Sequence, residues 1–120
     1  MKEETERWLE KAEQDLKATE LLKNKALDIA IFHSHQAVEK SLKAMQIEKL
    51  GKFDKTHDLV ELSKSIKAPK SIITDCDKLK PAYFLTRYPD VEGNYSKEEA
   101  NEMIKSAKGV VLWIKKEMKL

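Results

Sequence analysis

The chain has 120 residues, of which 41% are hydrophobic and 37% charged, and its formal net charge is +2. The length fits one ordinary domain, which we expect to span residues 1–120, and so small a net charge does not require a nucleic-acid partner. The single cysteine excludes an internal disulfide and fits a reducing compartment. Because no apolar run is long enough to cross a membrane and the N-terminus is too charged for a signal peptide, the sequence predicts a soluble cytoplasmic protein.

The first two predicted helices carry polar residues in or beside their apolar faces. Helical spacing predicts the first helix over about residues 3–23, and Asp15 falls inside its apolar face. The second is predicted over about residues 27–49, with an apolar arc roughly 200° wide that is typical of a central helix. His33 and Lys40 lie at one edge of that arc. A charged group in such a position has to be paired or reach water.

The remaining helices are delimited by capping and breaking residues. Gly51 ends the second helix, and Thr56 is the predicted N-cap of a third. Pro81 lies inside the fourth, where it predicts a kink or a break into two pieces. Ser96 and Glu99 have the capping-box spacing and open the last helix. Since no segment alternates with the period of a strand, we predict an all-α fold, an up-and-down antiparallel bundle of four to five helices.

The sequence patterns of metal sites and of nucleophilic enzymes are weak or missing. His33 and His35 are two residues apart on a helix and therefore point about 160° away from each other. Nothing places Cys76 or a serine beside a base, and the chain has no glycine-rich phosphate loop. The sequence therefore predicts neither a metal site nor a cofactor.

Arg87 is a candidate ligand contact because Arg7 is the only other arginine in the chain. It lies in an aromatic segment with Tyr83 before it and Tyr88 and Asp90 after it. The guanidinium is a planar fork of donors suited to phosphate or carboxylate, and a tyrosine can supply a stacking face. The alternative interpretation is an arginine that caps the carbonyls of a helix end or stacks on Tyr88.

Asp15, His33 and Lys40 form the second candidate group. One interpretation pairs Asp15 with Lys40 or His33 as an ion pair in the core, where such pairs add little net stability. The functional interpretation brings these side chains towards Arg87, so that lysine, histidine and arginine donate to a phosphate in an anion- or nucleotide-binding cleft. The spacing of the residues leaves both interpretations open.

Four segments of the chain form a recognisable series. One is the run from His33 to Ala44, HSHQAVEKSLKA. The other three are Ala12-x-x-Asp15-Leu16, Thr56-His57-Asp58-Leu59 and Thr86-Arg87-Tyr88-Pro89-Asp90. In their order along the chain they resemble the HEPN domain, a family of nucleotide-binding domains in higher eukaryotes and prokaryotes, and the run from His33 is similar to the family's second-helix signature. The resemblance covers nearly the whole chain and implies a helical bundle that is commonly a homodimer. Leu112 and Trp113, outside the apolar face of the last helix, would serve such a contact.

The resemblance also bears on activity. Many active members of the family are metal-independent endoribonucleases with an Arg-x(4–6)-His pattern and a site completed across the dimer. Counting on from Arg87, the corresponding positions hold Glu92, Gly93 and Asn94, and no histidine occurs after His57. The ribonuclease pattern is therefore absent, and the sequence favours a protein that is not an enzyme.

The main hypothesis is a non-catalytic HEPN module that binds a nucleotide or nucleic-acid phosphate, a minimal nucleotidyltransferase partner, or both, within a toxin–antitoxin-like system. Arg87 would hold phosphate, Lys40 and His33 would line the cleft, and Tyr83 or Tyr88 would stack. One alternative is an RNA-cleaving enzyme in which one of the chain's three histidines replaces the missing base. The other is a purely structural interaction protein.

Overall fold

Helices are the only regular elements in residues 1–85 and 95–118, the parts of the chain that the computed structural model describes. They are α1 (Glu3–Leu22), α2 (Leu27–Leu50), α3 (Leu59–Ser65), α4 (Lys70–Lys78), α5 (Lys80–Leu85) and α6 (Lys97–Glu117). Because a single residue separates α4 from α5, these two segments count as one interrupted helix. The predicted all-α bundle is confirmed.

Small residues let α1 and α2 pack closely. Three alanines spaced seven residues apart on α2 are fully buried, namely Ala30, Ala37 and Ala44. Thr19 Oγ1 donates to the carbonyl oxygen of Ala30 at 3.0 Å, near the turn that joins the two helices. At the other end, Thr5 Oγ1 donates to the carboxylate of Glu48 at 3.0 Å. These contacts set α1 antiparallel to α2.

The last helix returns along α1 in the opposite direction. Lys115 pairs with Glu13 at 2.9 Å and Lys108 pairs with Glu20, so the later lysine meets the earlier glutamate. The apolar face of α6 is buried in the common core, with Ala107, Val110 and Ile114 fully covered. α1 is therefore antiparallel to both α2 and α6, as an up-and-down bundle requires.

The geometry of the helix ends confirms the sequence-based prediction at two positions and corrects it at a third. Gly51 ends α2 with a φ of 78°, a left-handed conformation that glycine adopts at no steric cost. Ser96 and Glu99 form the predicted capping box of α6. Thr56, however, is not the N-cap of α3. Asp58 is, accepting from the backbone N–H of Glu61, while the Thr56 hydroxyl accepts from the N–H of Asp58.

The predicted interruption of the fourth helix is present at Leu79, two residues before Pro81. Proline has no N–H to continue the hydrogen-bond ladder, and in an unbroken helix its ring clashes with the carbonyl four residues earlier. The N–H of Leu79 bonds instead to the carbonyl of Cys76 at 3.1 Å, in a tighter turn. On α5, Tyr83 lies against His57, and the two rings stack with centroids 5.1 Å apart.

None of the helices in the described residues is long and apolar enough to cross a membrane.

Candidate functional site

The first polar cluster is the one that the sequence indicated on α1 and α2. Lys40 Nζ donates to Asp15 Oδ2 at 2.6 Å, and His33 Nδ1 contacts Asp15 Oδ1 at 2.8 Å. Asp15 therefore engages both alternative partners at once. Its side chain is nearly buried, whereas His33 and Lys40 each keep more than a quarter of their side-chain surface exposed. We call this set the Asp15 cluster.

A second cluster, which the sequence did not indicate, forms around Glu39 on the other side of α2. Lys43 Nζ donates to Glu39 Oε2 at 3.0 Å, and His57 Nδ1 lies 2.9 Å from Oε1 and 3.1 Å from Oε2. His35 Nδ1 is 4.0 Å from Oε1, too far for a hydrogen bond. We call Glu39, Lys43 and His57 the Glu39 cluster.

The electrostatics of the Glu39 cluster favour an ionised carboxylate. Burial alone would raise the pKa of Glu39, since a charge is costly to remove from water. Hydrogen bonds from His57 and Lys43, together with the charges of those groups, more than offset the burial and lower the pKa below its usual value. Lys43, itself buried, also lies 5.6 Å from the ring centroid of Phe53. The cluster thus holds a buried, charge-compensated carboxylate beside a histidine at the surface.

Gln46 fixes the loop that carries His57. Its side-chain oxygen accepts from the N–H of Asp54 at 3.0 Å, and its amide nitrogen donates to the Asp54 carboxylate at 3.1 Å. The same nitrogen donates to Ser65 Oγ at 2.8 Å, which ties the loop to the end of α3. Gln46 is almost fully buried, so these bonds are shielded from water. The loop is therefore anchored to α2 three residues before His57.

A cleft opens between the start of α3 and α5, with a volume of about 380 Å³. We call it the α3–α5 cleft. Its lining residues are His35, Thr56, His57, Asp58, Leu59, Lys80, Tyr83 and Phe84. One face of Tyr83 stacks on His57, and Phe84 meets Tyr83 edge-on at 5.2 Å. Since His57 and Phe84 each expose about half of their side chains, the cleft offers aromatic surface to a ligand.

The structure does not bring all the predicted ligand residues together. Tyr83 lies in the α3–α5 cleft, whereas His33 and Lys40 belong to the Asp15 cluster. On α2 the positions of Lys40 and Glu39 differ by about 100° around the helix axis, which separates the two clusters. The predicted contacts Arg87, Tyr88 and Asp90 lie outside the described residues.

Within residues 1–85 and 95–118, no group of three or more metal-ligating side chains converges. The cationic and aromatic groups of the α3–α5 cleft are instead suited to organic ligands and anions.

The arrangement of helices is that of a known family. The HEPN domain family model matches residues 5–118. The chain belongs to the HEPN domain family.

Two solved structures are similar over nearly the whole chain. ST0689, whose crystal structure is described as that of an archaeal HEPN homologue, is 30% identical, with a TM-score of 0.79, 99% of this chain covered and 100% of that one. TT1696 from Thermus thermophilus is 24% identical, with a TM-score of 0.82 and coverage of 93% and 96%, a likeness that shows the fold. A comparison with curated proteins found no match.

Proposed function

We propose that this HEPN chain binds a nucleotide, or a nucleotide unit of a nucleic acid, in the α3–α5 cleft. The observation that carries the proposal is the combination of an exposed imidazole, an aromatic wall and a cation around one cavity. His57 bonds to Glu39 and stacks on Tyr83, and Phe84 exposes ring surface. Lys80 also lines the cleft, and its ammonium is exposed to water 3.9 Å from Asp77 Oδ1. Rings bind bases and cations bind phosphates, so the lining suits both parts of a nucleotide.

Arg87 remains the predicted phosphate contact of this site. It follows the last residue of α5 by two positions in the sequence, and α5 supplies Tyr83 and Lys80 to the cleft. Lys40 and His33 are left out of the proposed site because both already bond to Asp15, on another side of α2.

Calorimetric titration with AMP tests the proposal, and the chain offers a matched control. Arg87→Lys keeps the charge but loses the bidentate fork, so affinity should fall about ten-fold. Arg7→Lys makes the same change at an exposed position of α1, where Arg7 pairs with Glu3, and should leave affinity unchanged. Absence of AMP binding to the wild-type protein would overturn the proposal, and equal losses in the two variants would remove Arg87 from the site.

The contact between His57 and Glu39 favours a second candidate function, metal-independent cleavage of RNA with a displaced histidine. A carboxylate that orients an imidazole is a common arrangement for proton transfer. His57 would take the proton of a ribose 2′-hydroxyl as that oxygen attacks the phosphorus, and the 5′-oxygen would leave with a proton from solvent. Structured RNA incubated with the protein and EDTA distinguishes the two functions. Cleavage that is lost in His57→Gln supports the enzyme, and intact RNA supports the binding module.

The assembly partners are also proposals. Leu112 on α6 exposes 52% of its surface, and its neighbour Trp113 is only partly buried, so this side of α6 is available for a helix-on-helix homodimer. Light scattering should then give about twice the chain mass of 13.9 kDa. A minimal nucleotidyltransferase should co-purify with the chain if it is the partner that the resemblance implies.

A further inference from the structure

The two ring nitrogens of His57 have different surroundings: Nδ1 contacts Glu39, and Nε2 is open to the α3–α5 cleft. Nδ1 lies within hydrogen-bond distance of both carboxylate oxygens of Glu39. Among the described residues, Nε2 has no hydrogen-bond partner. The ring is half exposed and lines the α3–α5 cleft, so a ligand can reach Nε2.

The partner of Nδ1 decides where the imidazole proton lies. A carboxylate is an acceptor only, and the lowered pKa of Glu39 keeps it in that form near neutral pH. Nδ1 therefore has to carry a proton to make this bond. In a neutral imidazole only one nitrogen is protonated, so Nε2 presents a lone pair to the cleft.

Lys43 supplies the positive charge that compensates the Glu39 carboxylate, so a positive charge on His57 is not needed. Its buried ammonium compensates the Glu39 carboxylate at 3.0 Å, so the cluster is neutral overall while the imidazole is neutral. The Gln46 contacts with Asp54 and Ser65 hold the loop in place, which fixes the ring relative to the carboxylate.

We propose that Glu39 is a positioning residue that fixes the Nδ1–H tautomer of His57, so that Nε2 accepts a hydrogen bond from an O–H or N–H group of the ligand. This inference rests on the proposed function and narrows it. A lone pair at Nε2 repels phosphate oxygens, which carry lone pairs themselves, and accepts a hydrogen bond from a ribose hydroxyl or a base amino group. His57 thus recognises the nucleoside part of the ligand, and the phosphate is left to the cations.

The tautomer can be measured in the free protein by nitrogen NMR of the imidazole groups at mildly alkaline pH, where free imidazole is neutral. His57 should show a protonated Nδ1 and an unprotonated Nε2, and Glu39→Gln should shift it towards a mixture of tautomers. Asp15→Asn is the control, because it changes an equivalent carboxylate beside His33 and should leave the His57 signals in place. A His57 protonated at Nε2, or a signal unmoved by Glu39→Gln, would overturn the inference.

Ligand titrations then identify the group that Nε2 contacts. AMP should move the Nε2 signal of His57, whereas inorganic phosphate should leave it unmoved. Ribose 5-phosphate keeps the hydroxyls without the base, and 2′,3′-dideoxy-AMP keeps the base amine without the hydroxyls, so whichever of them moves the signal identifies the donor. A shift with inorganic phosphate as large as that with AMP would refute recognition of the nucleoside part.

His57→Phe provides the affinity measurement, since phenylalanine keeps the ring that stacks on Tyr83 and lacks the acceptor. AMP affinity should fall about five-fold, as expected for one hydrogen bond, and phosphate affinity should not change. An unchanged AMP affinity contradicts the inference while leaving the proposed function intact. If AMP does not bind the wild-type protein at all, the proposed function fails, and the tautomer of the free protein still decides the role of Glu39.

Discussion

Glu39→Gln is the substitution for which the structure makes the sharpest stability prediction. Glutamine preserves the shape of the side chain and removes its charge, so the Lys43 ammonium loses its counter-ion. The side chain of Lys43 is only 5% exposed and cannot rotate easily into water. His57 is 51% exposed and can hydrate when its bond is lost. The loss in free energy of unfolding should therefore arise mainly from Lys43, whose buried charge is left unpaired.

The expected magnitude follows from measurements on buried ion pairs. Removal of one partner of such a pair costs about 3–5 kcal/mol, because an uncompensated charge is left inside the protein. Asp15→Asn offers a matched comparison, since Lys40 and His33 keep 28% and 29% of their side chains exposed and can turn to water. That change should cost about 1–2 kcal/mol, the loss of charge-assisted hydrogen bonds at a partly wet site.

Urea unfolding followed by circular dichroism measures both variants. The Glu39 variant should lose at least about 1 kcal/mol more than the Asp15 variant, and the double variant Glu39→Gln/Lys43→Met should regain part of the loss. Methionine removes the stranded charge and suits the neighbouring ring of Phe53. Equal losses in the two single variants, or a further loss in the double variant, would refute the assignment of the cost to a buried unpaired lysine.

Three further predictions concern pH, thiol reactivity and helix packing. The pKa of Glu39 is lowered from 4.5, so its ionised carboxylate stabilises the fold fully above pH 4.5 and loses this effect as the pH falls through the lowered value. Unfolding curves measured in acid should therefore show a smaller difference in stability between wild type and Glu39→Gln. Burial raises the pKa of Cys76 to about 12, so a thiol reagent should label it only after unfolding, and rapid labelling of the native protein would contradict its burial. Gly109 lies within α6, and a methyl group added there would sit 3.7 Å from the Asp75 carboxylate, an ordinary contact distance. Gly109→Ala should therefore raise the free energy of unfolding by about 0.5–1 kcal/mol, and a loss measured in the same urea assay would show that α4 and α6 cannot accept the methyl group.

The sequence predicted the helices well because their signals are local. A capping box at Ser96, a glycine at position 51 and a proline at position 81 each act within one turn of their own position, and the structure shows the expected end or break near each. The error at the start of α3 arose because Thr56 and Asp58 are both capping residues, and their spacing alone does not say which one accepts from the helix.

The Glu39 cluster could not be found in the same way. Its contacts join α2 to a loop residue 18 positions later, and only the folded chain brings them together. On α2 alone, Glu39 and Lys43 look like an ordinary pair one turn apart on a solvated face. Lys43 lies just outside the apolar arc of α2, so the helical pattern does not single out either residue, and only the packed structure shows that both side chains are covered. Asp15 was easier to find because it interrupts an otherwise apolar face.

The central claim is that a nucleotide binds in the α3–α5 cleft, and an amide chemical-shift map of the protein titrated with AMP tests it most directly. The account predicts that the largest shifts fall on His57, Lys80 and Tyr83, with little change around Lys40 and His33. Shifts concentrated on the Asp15 cluster would place the ligand on the other side of α2 and contradict the account, and a spectrum unchanged at saturating AMP would reject nucleotide binding altogether.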